Sequence, residues 1–168
     1  MPHAVVDTNT AVSGLLSSGA PAVILRLAYV QQLTLWSCDE SIAEFRRVIR
    51  YPRIEKRIRG LYRGVTAFER EYERLLNTVS ITGVEPNTLV PEDPDDEMFI
   101  RIAIAAPARY IITRDPDLLV LQRYKTVLIV SPEEFMTAWR AAHASTPTTP
   151  RRRWRVPWRR SWRGPGAS

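Results

Sequence analysis

The chain has 168 residues, 45% of them hydrophobic, which is enough for one core and one domain. Lys and Arg total 24 against 18 Asp and Glu, but seven arginines and no acid follow Ser145, so the body up to Ala144 carries 17 − 18, or −1, and its fold is not that of a basic scaffold. The single Cys38 excludes an internal disulfide, Asp7 interrupts the N-terminus before a signal peptide could develop, and no run reaches the roughly 20 apolar residues of a membrane span.

His3 to Val6 is a β-branched run closed by Asp7-Thr8-Asn9 and predicts a strand. An acid at a strand end suggests a site at the carboxyl edge of an open sheet, where α/β proteins place ligands; the plain alternative is an N-cap for the next helix. Val12, Leu15 and Leu16 open that helix, Ser17 to Pro21 interrupts it, and Ala22 to Gln31 resumes with Val23, Leu27 and Val30 at helical spacing. Leu33 to Cys38 predicts a second strand. Asp39 is the predicted cap of a helix striped with Ile42, Phe45, Val48 and Ile49 and ended by Tyr51-Pro52. Glu44 lies on the border of that stripe, where a side chain either enters a cleft or faces solvent.

Helices over about 53–59 and 66–77 are dense in Arg and Glu and read as a solvated flap. Arg46, Arg47, Arg50, Arg53, Lys56, Arg57, Arg59 and Arg63 make this region locally basic, a charged face that could also track a phosphate backbone. Val79 to Val84 reads as a strand or an extended connection, and 85–92 as a Pro-punctuated loop.

The stretch from Asp93 to Leu119 holds most of the remaining chemistry. Met98 to Ala106 is apolar nearly all round and predicts a buried helix, on which Asp96 shares a face with Phe99, Ile100 and Ala103. Tyr110 to Thr113 predicts a buried strand ending in Arg114-Asp115-Pro116-Asp117. Singly, each acid has an ordinary explanation as a helix start, a dipole partner or a turn. Leu118 to Gln122 reads as a helical turn and Thr126 to Val130 as a strand. Ser131-Pro132-Glu133-Glu134 is a capping box that starts the last helix, running to about His143.

Apolar strands separated by helices predict a three-layer α/β/α sandwich around a central parallel sheet over residues 1–144. Dinucleotide, NTP-loop, metalloprotease and paired-cysteine signatures are missing, and His3 and His143 are too few for a histidine-based triad. In such a sheet Asp7 and Asp115 both end strands, Asp96 starts a buried helix and Glu44 borders another. Four carboxylates in one cleft repel each other unless a hard cation, Mg²⁺ or Mn²⁺, sits among them. The matching chemistry is phosphodiester hydrolysis.

VVDTN at 5–9, SIAEFRRVIRYPRI at 41–54, DPDDEMF at 93–99, YIITRDPDLL at 110–119 and SPEEF at 131–135 occur in order over roughly residues 3–140. Together they resemble the PIN-domain family, in the branch of toxin components related to VapC-like ribonucleases. The resemblance implies a catalytic quartet of Asp7, Glu44, Asp96 and Asp115, with Asp7, Asp96 and Asp115 as metal ligands. It makes Asp117 an accessory acid and gives Asn9 and Thr113 the task of orienting the cluster. It further implies a Mg²⁺- or Mn²⁺-dependent endoribonuclease, usually a homodimer, held inactive by an antitoxin; the lone Cys38 fits a cytoplasmic setting. Asp93, Asp95 or Glu97 could share or replace the role of Asp96. Pro107 stands where family members more often turn with Gly, and the tail beyond Ser145 has no counterpart in the pattern.

That tail, 145–168, is a Ser/Thr/Pro linker followed by a basic segment, and its composition predicts disorder. Arg151, Arg152, Arg153, Trp154, Trp158, Arg159, Arg160 and Trp162 suit RNA, arginine for phosphates and tryptophan for base stacking; an anionic membrane surface is the less favoured partner. Two other readings remain beside the ribonuclease. One is a non-catalytic RNA- or ribosome-binding protein acting through the tail. The other, a phosphoryl-aspartate protein, is weakened because position 9 is Asn rather than a second acid.

Overall fold

The structure, a computed structural model, describes residues 1–85 and 94–143, with the backbone alone at 94–96. The tail and its candidate RNA-binding residues lie outside those ranges.

Strand β1 (His3–Val6) is central because both its faces are apolar: Ala4 and Val6 are buried in one layer and Val5 in the other. It pairs in parallel with β2 (Thr34–Ser37) on one side and with β4 (Tyr110–Ile112) on the other. Beyond β2 lies β3 (Leu76–Thr78), and beyond β4 lie β6 (Val127–Val130) and β5 (Arg123–Tyr124), giving the order β3-β2-β1-β4-β6-β5. The sheet is mixed and mostly parallel, with only β5 antiparallel to its neighbour.

One face is covered by α1 (Thr8–Leu16), α2 (Ala20–Tyr29), α3 (Asp39–Val48), α4 (Pro52–Leu61), α5 (Val65–Glu73) and α8 (Pro132–Ala142). The other is covered by α6 (Pro94–Ala105) and α7 (Pro116–Leu119), through Met98, Phe99, Ile102 and Leu118. The predicted layering is therefore observed. Helix α1 meets α2 at Gly14, where a Cβ would lie 2.8 Å from both Leu25 Cδ1 and the Pro21 carbonyl oxygen; only glycine permits that approach. Ser131 and Glu134 form the predicted capping box of α8.

Three local expectations differ from the structure. The N-cap of α3 is Cys38, whose Sγ accepts the Ser41 N–H, while Asp39 enters the first turn and complements the helix dipole. Helix α5 ends at Glu73 instead of continuing to 77, because Leu76–Thr78 forms strand β3, and 79–84 is a connection, the second of its two readings. Pairing with β2, reinforced by the Asn77 Nδ2 bond to the Leu35 carbonyl at 3.3 Å, overrides the charged helical pattern that runs into this segment. Strand β5 was not expected; positive φ at Gln122 and Lys125 turns the chain back on either side of it. Among the described residues no single helix is long and apolar enough to cross a membrane.

Candidate active site at the carboxyl edge

From β1 the chain crosses to β2 on one side, while β4 flanks β1 on the other. The gap above β1 and β4 is thus the topological switch point, the place where open α/β sheets form a crevice for ligands. Asp7 and Thr113 follow the last residues of these two strands.

Asp7 is 6% exposed and has extended backbone, so it both ends β1 and caps α1. Its Oδ1 accepts the Thr10 N–H at 2.5 Å. Its Oδ2 accepts the Thr113 hydroxyl and, at 3.3 Å, the Arg114 N–H. The carboxylate plane is therefore fixed from two strands and one helix. The ordinary cap and the edge acid are one residue.

Thr113 is fully buried. Its hydroxyl has a single proton, which goes to Asp7, and its oxygen accepts the Asp115 N–H at 2.9 Å. One hydroxyl thus ties the Asp7 side chain to the Asp115 backbone. Asp115 in turn caps α7, its Oδ1 accepting the Asp117 N–H at 2.9 Å. Asp115 is half-buried and Asp117 exposed.

Glu44 comes from the other side. It projects from the second turn of α3, half-buried, and accepts the Thr8 hydroxyl at 2.9 Å. Thr8 is 4% exposed and adjoins Asp7, whereas Asn9 is exposed. The hydroxyl that reaches Glu44 is therefore that of Thr8, a residue the sequence did not single out. Tyr72 of α5 packs against Phe45 with ring centres 4.3 Å apart. Burial first, then the charges of Asp7 and of Glu44, push its phenol well above the ordinary value, so both acids act on the same buried ring. By contrast, burial raises the Cys38 thiol to about 11, which makes it a protonated apolar filler at neutral pH.

The structure thus links Asp7 to Asp115 through Thr113 and sets Glu44 beside Asp7 through Thr8. The backbone of Asp96 lies in the first turn of α6; its side chain, with those of Asp93 and Asp95, is outside the described residues. Among the described residues no three His, Cys, Asp or Glu side chains form a metal-binding group. In kind the donors suit a hard cation, since Asp7, Glu44 and Asp115 offer only oxygen. Thr10, on the same face of α1 as Asp7, also keeps a buried hydroxyl without a hydrogen-bond partner among the described residues.

Residues 3–117 match the family model described as PIN domain. No curated protein and no solved structure matches the chain.

Proposed function

The chain belongs to the PIN-domain family, and from that premise we propose that it is a Mg²⁺- or Mn²⁺-dependent endoribonuclease. PIN domains are generally nucleases, and nucleases of this family generally use divalent metals. The observation that carries the reading is the edge geometry: the buried Thr113 hydroxyl joins the Asp7 carboxylate to the Asp115 backbone, and Glu44 is bonded to Thr8, the residue next to Asp7.

Asp7, Asp96 and Asp115 are the residues that would hold the cation, and Glu44 completes the catalytic set, with Asp117 accessory. A bound Mg²⁺ or Mn²⁺ lowers the pKa of water and offsets charge on the phosphate. The protein's own part is orientation. Thr113 fixes the Asp7 rotamer and the Asp115 backbone together, and Thr8 fixes Glu44, so the acids are held before substrate arrives. A cation held there would also reduce the repulsion between these acids and a polyanion.

The motif resemblance extends the proposal to the toxin of a type II toxin–antitoxin pair, a cytoplasmic homodimer silenced by its cognate antitoxin. A second reading, RNA or ribosome binding without catalysis, is favoured by one observation: seven arginines and three tryptophans between Arg151 and Arg163.

One assay separates the two. Purified protein is incubated with single-stranded RNA in Mn²⁺, in Mg²⁺ and in excess chelator, alongside protein lacking 146–168. The nuclease reading expects cleavage with metal, none with chelator, and cleavage retained after the deletion. No cleavage in either metal, together with salt-sensitive RNA affinity lost on deletion, replaces it with the binding reading.

A further inference from the structure

We propose that Arg114 is a phosphate clamp of this active site, held in reserve by Glu133, an inference that rests on the ribonuclease reading. The parallel strands lead at the carboxyl edge into 7–10, 37–41, 78–81, 113–117 and 131–134. Those segments contain seven acids and one base, Arg114. A bound cation offsets part of that charge at one point, but the phosphates on either side of the cut still meet a negative edge. Arg114 is the cation placed to receive them.

Its backbone is built into the site. Arg114 stands between Thr113 and Asp115, and its N–H donates to Asp7 Oδ2 at 3.3 Å. Its side chain is 48% exposed and reaches sideways to Glu133 Oε1, 2.5 Å from Nη2, on a carboxylate that is itself 58% exposed. An ion pair so open to water is worth little, so a phosphate can displace it. A guanidinium grips phosphate with two parallel hydrogen bonds, a stronger and more directional contact.

Glu133 loses little in the exchange. It sits in the first turn of α8, where the helix dipole favours an acid, and the capping box belongs to Ser131 and Glu134. The pair therefore acts as a competitor at the mouth of the site: Glu133 occupies Arg114 until RNA takes it.

A pair that merely staples the β4–α7 loop to α8 makes the opposite prediction, because breaking it from either side then has the same effect. Fluorescence anisotropy with a labelled single-stranded RNA of about 20 nucleotides, in chelator, decides between them. The tail is common to all the full-length proteins compared, so differences report the edge. Arg114→Ala is expected to weaken binding about tenfold and to lower the salt slope by about 1. Glu133→Gln is expected to tighten binding about threefold, and the double variant to match Arg114→Ala alone. Both single variants weakening binding, neither changing it, or no RNA binding by the unmodified protein overturns the proposal. Cleavage is measured in parallel. Opposite shifts in affinity with no cleavage leave the clamp standing and sink the nuclease reading, whereas cleavage without those shifts does the reverse.

Discussion

Asp7→Asn is expected to leave the protein folded and to lower RNA cleavage by about 10³-fold. Asparagine is as good an N-cap as aspartate, so the bond from Thr10 N–H survives and α1 still starts in place. The loss lies at Oδ2. There an amide NH₂ would face the Arg114 N–H, and the Thr113 hydroxyl proton, which now goes to Oδ2, would lose its acceptor. A donor against donors at a buried position costs about 1–3 kcal/mol, which a urea denaturation curve reads directly. The negative charge needed to hold a cation is removed at the same time. Cleavage within tenfold of the unmodified protein would remove Asp7 from the centre of the mechanism.

Phe45→Ala carries the largest expected loss of stability, about 3–5 kcal/mol. Its ring is completely buried, 4.3 Å between centres from Tyr72 and 6.0 Å from Phe68, and Phe68 meets Tyr62 edge-on at 4.9 Å. Tyr62 closes the series by donating to the Leu15 carbonyl at 2.9 Å. This line of rings joins α3, α4 and α5 to α1, so a cavity at Phe45 loosens the helix that carries Glu44 and the one that carries Thr8. A domain of this size has about 5–15 kcal/mol in total, so the variant should melt roughly 10 °C lower. Arg46→Ala is the control: Arg46 is half exposed in its pairs with Glu69 and Glu73, and solvent-screened surface pairs contribute little to stability. Equal melting temperatures for the two variants would show that the aromatic line does not organise this side of the fold.

The layers were legible because their signals are local. β1 and β4 are short apolar runs that end in polar residues, and α8 begins with a complete capping box. β3 is hidden inside the predicted helix because the Arg- and Glu-rich pattern runs into it unbroken; only its pairing with β2 stops the helix. β5 was invisible because Gln122 and Lys125 adopt positive φ without the glycine or asparagine that usually marks such turns.

At the site, the strand ends pointed to Asp7 and Asp115, helix position to Glu44 and Asp96, and the family resemblance to all four. Which side chain of Thr8-Asn9 turns toward α3 depends on how α1 is rotated about its axis, and that is set by packing far from the motif. Arg114 read as a turn residue because its partner Glu133 is 19 positions away.

The central claim is that acids distant in sequence gather at one edge to hold a hard cation. Electron paramagnetic resonance titration of Mn²⁺ into the full-length protein, and into Asp7→Asn, Glu44→Gln, Asp96→Asn and Asp115→Asn, tests it without any assay of cleavage. The account predicts a Mn²⁺ site that each of the four substitutions weakens by at least about tenfold. Mn²⁺ affinity that is the same in all five proteins would contradict it.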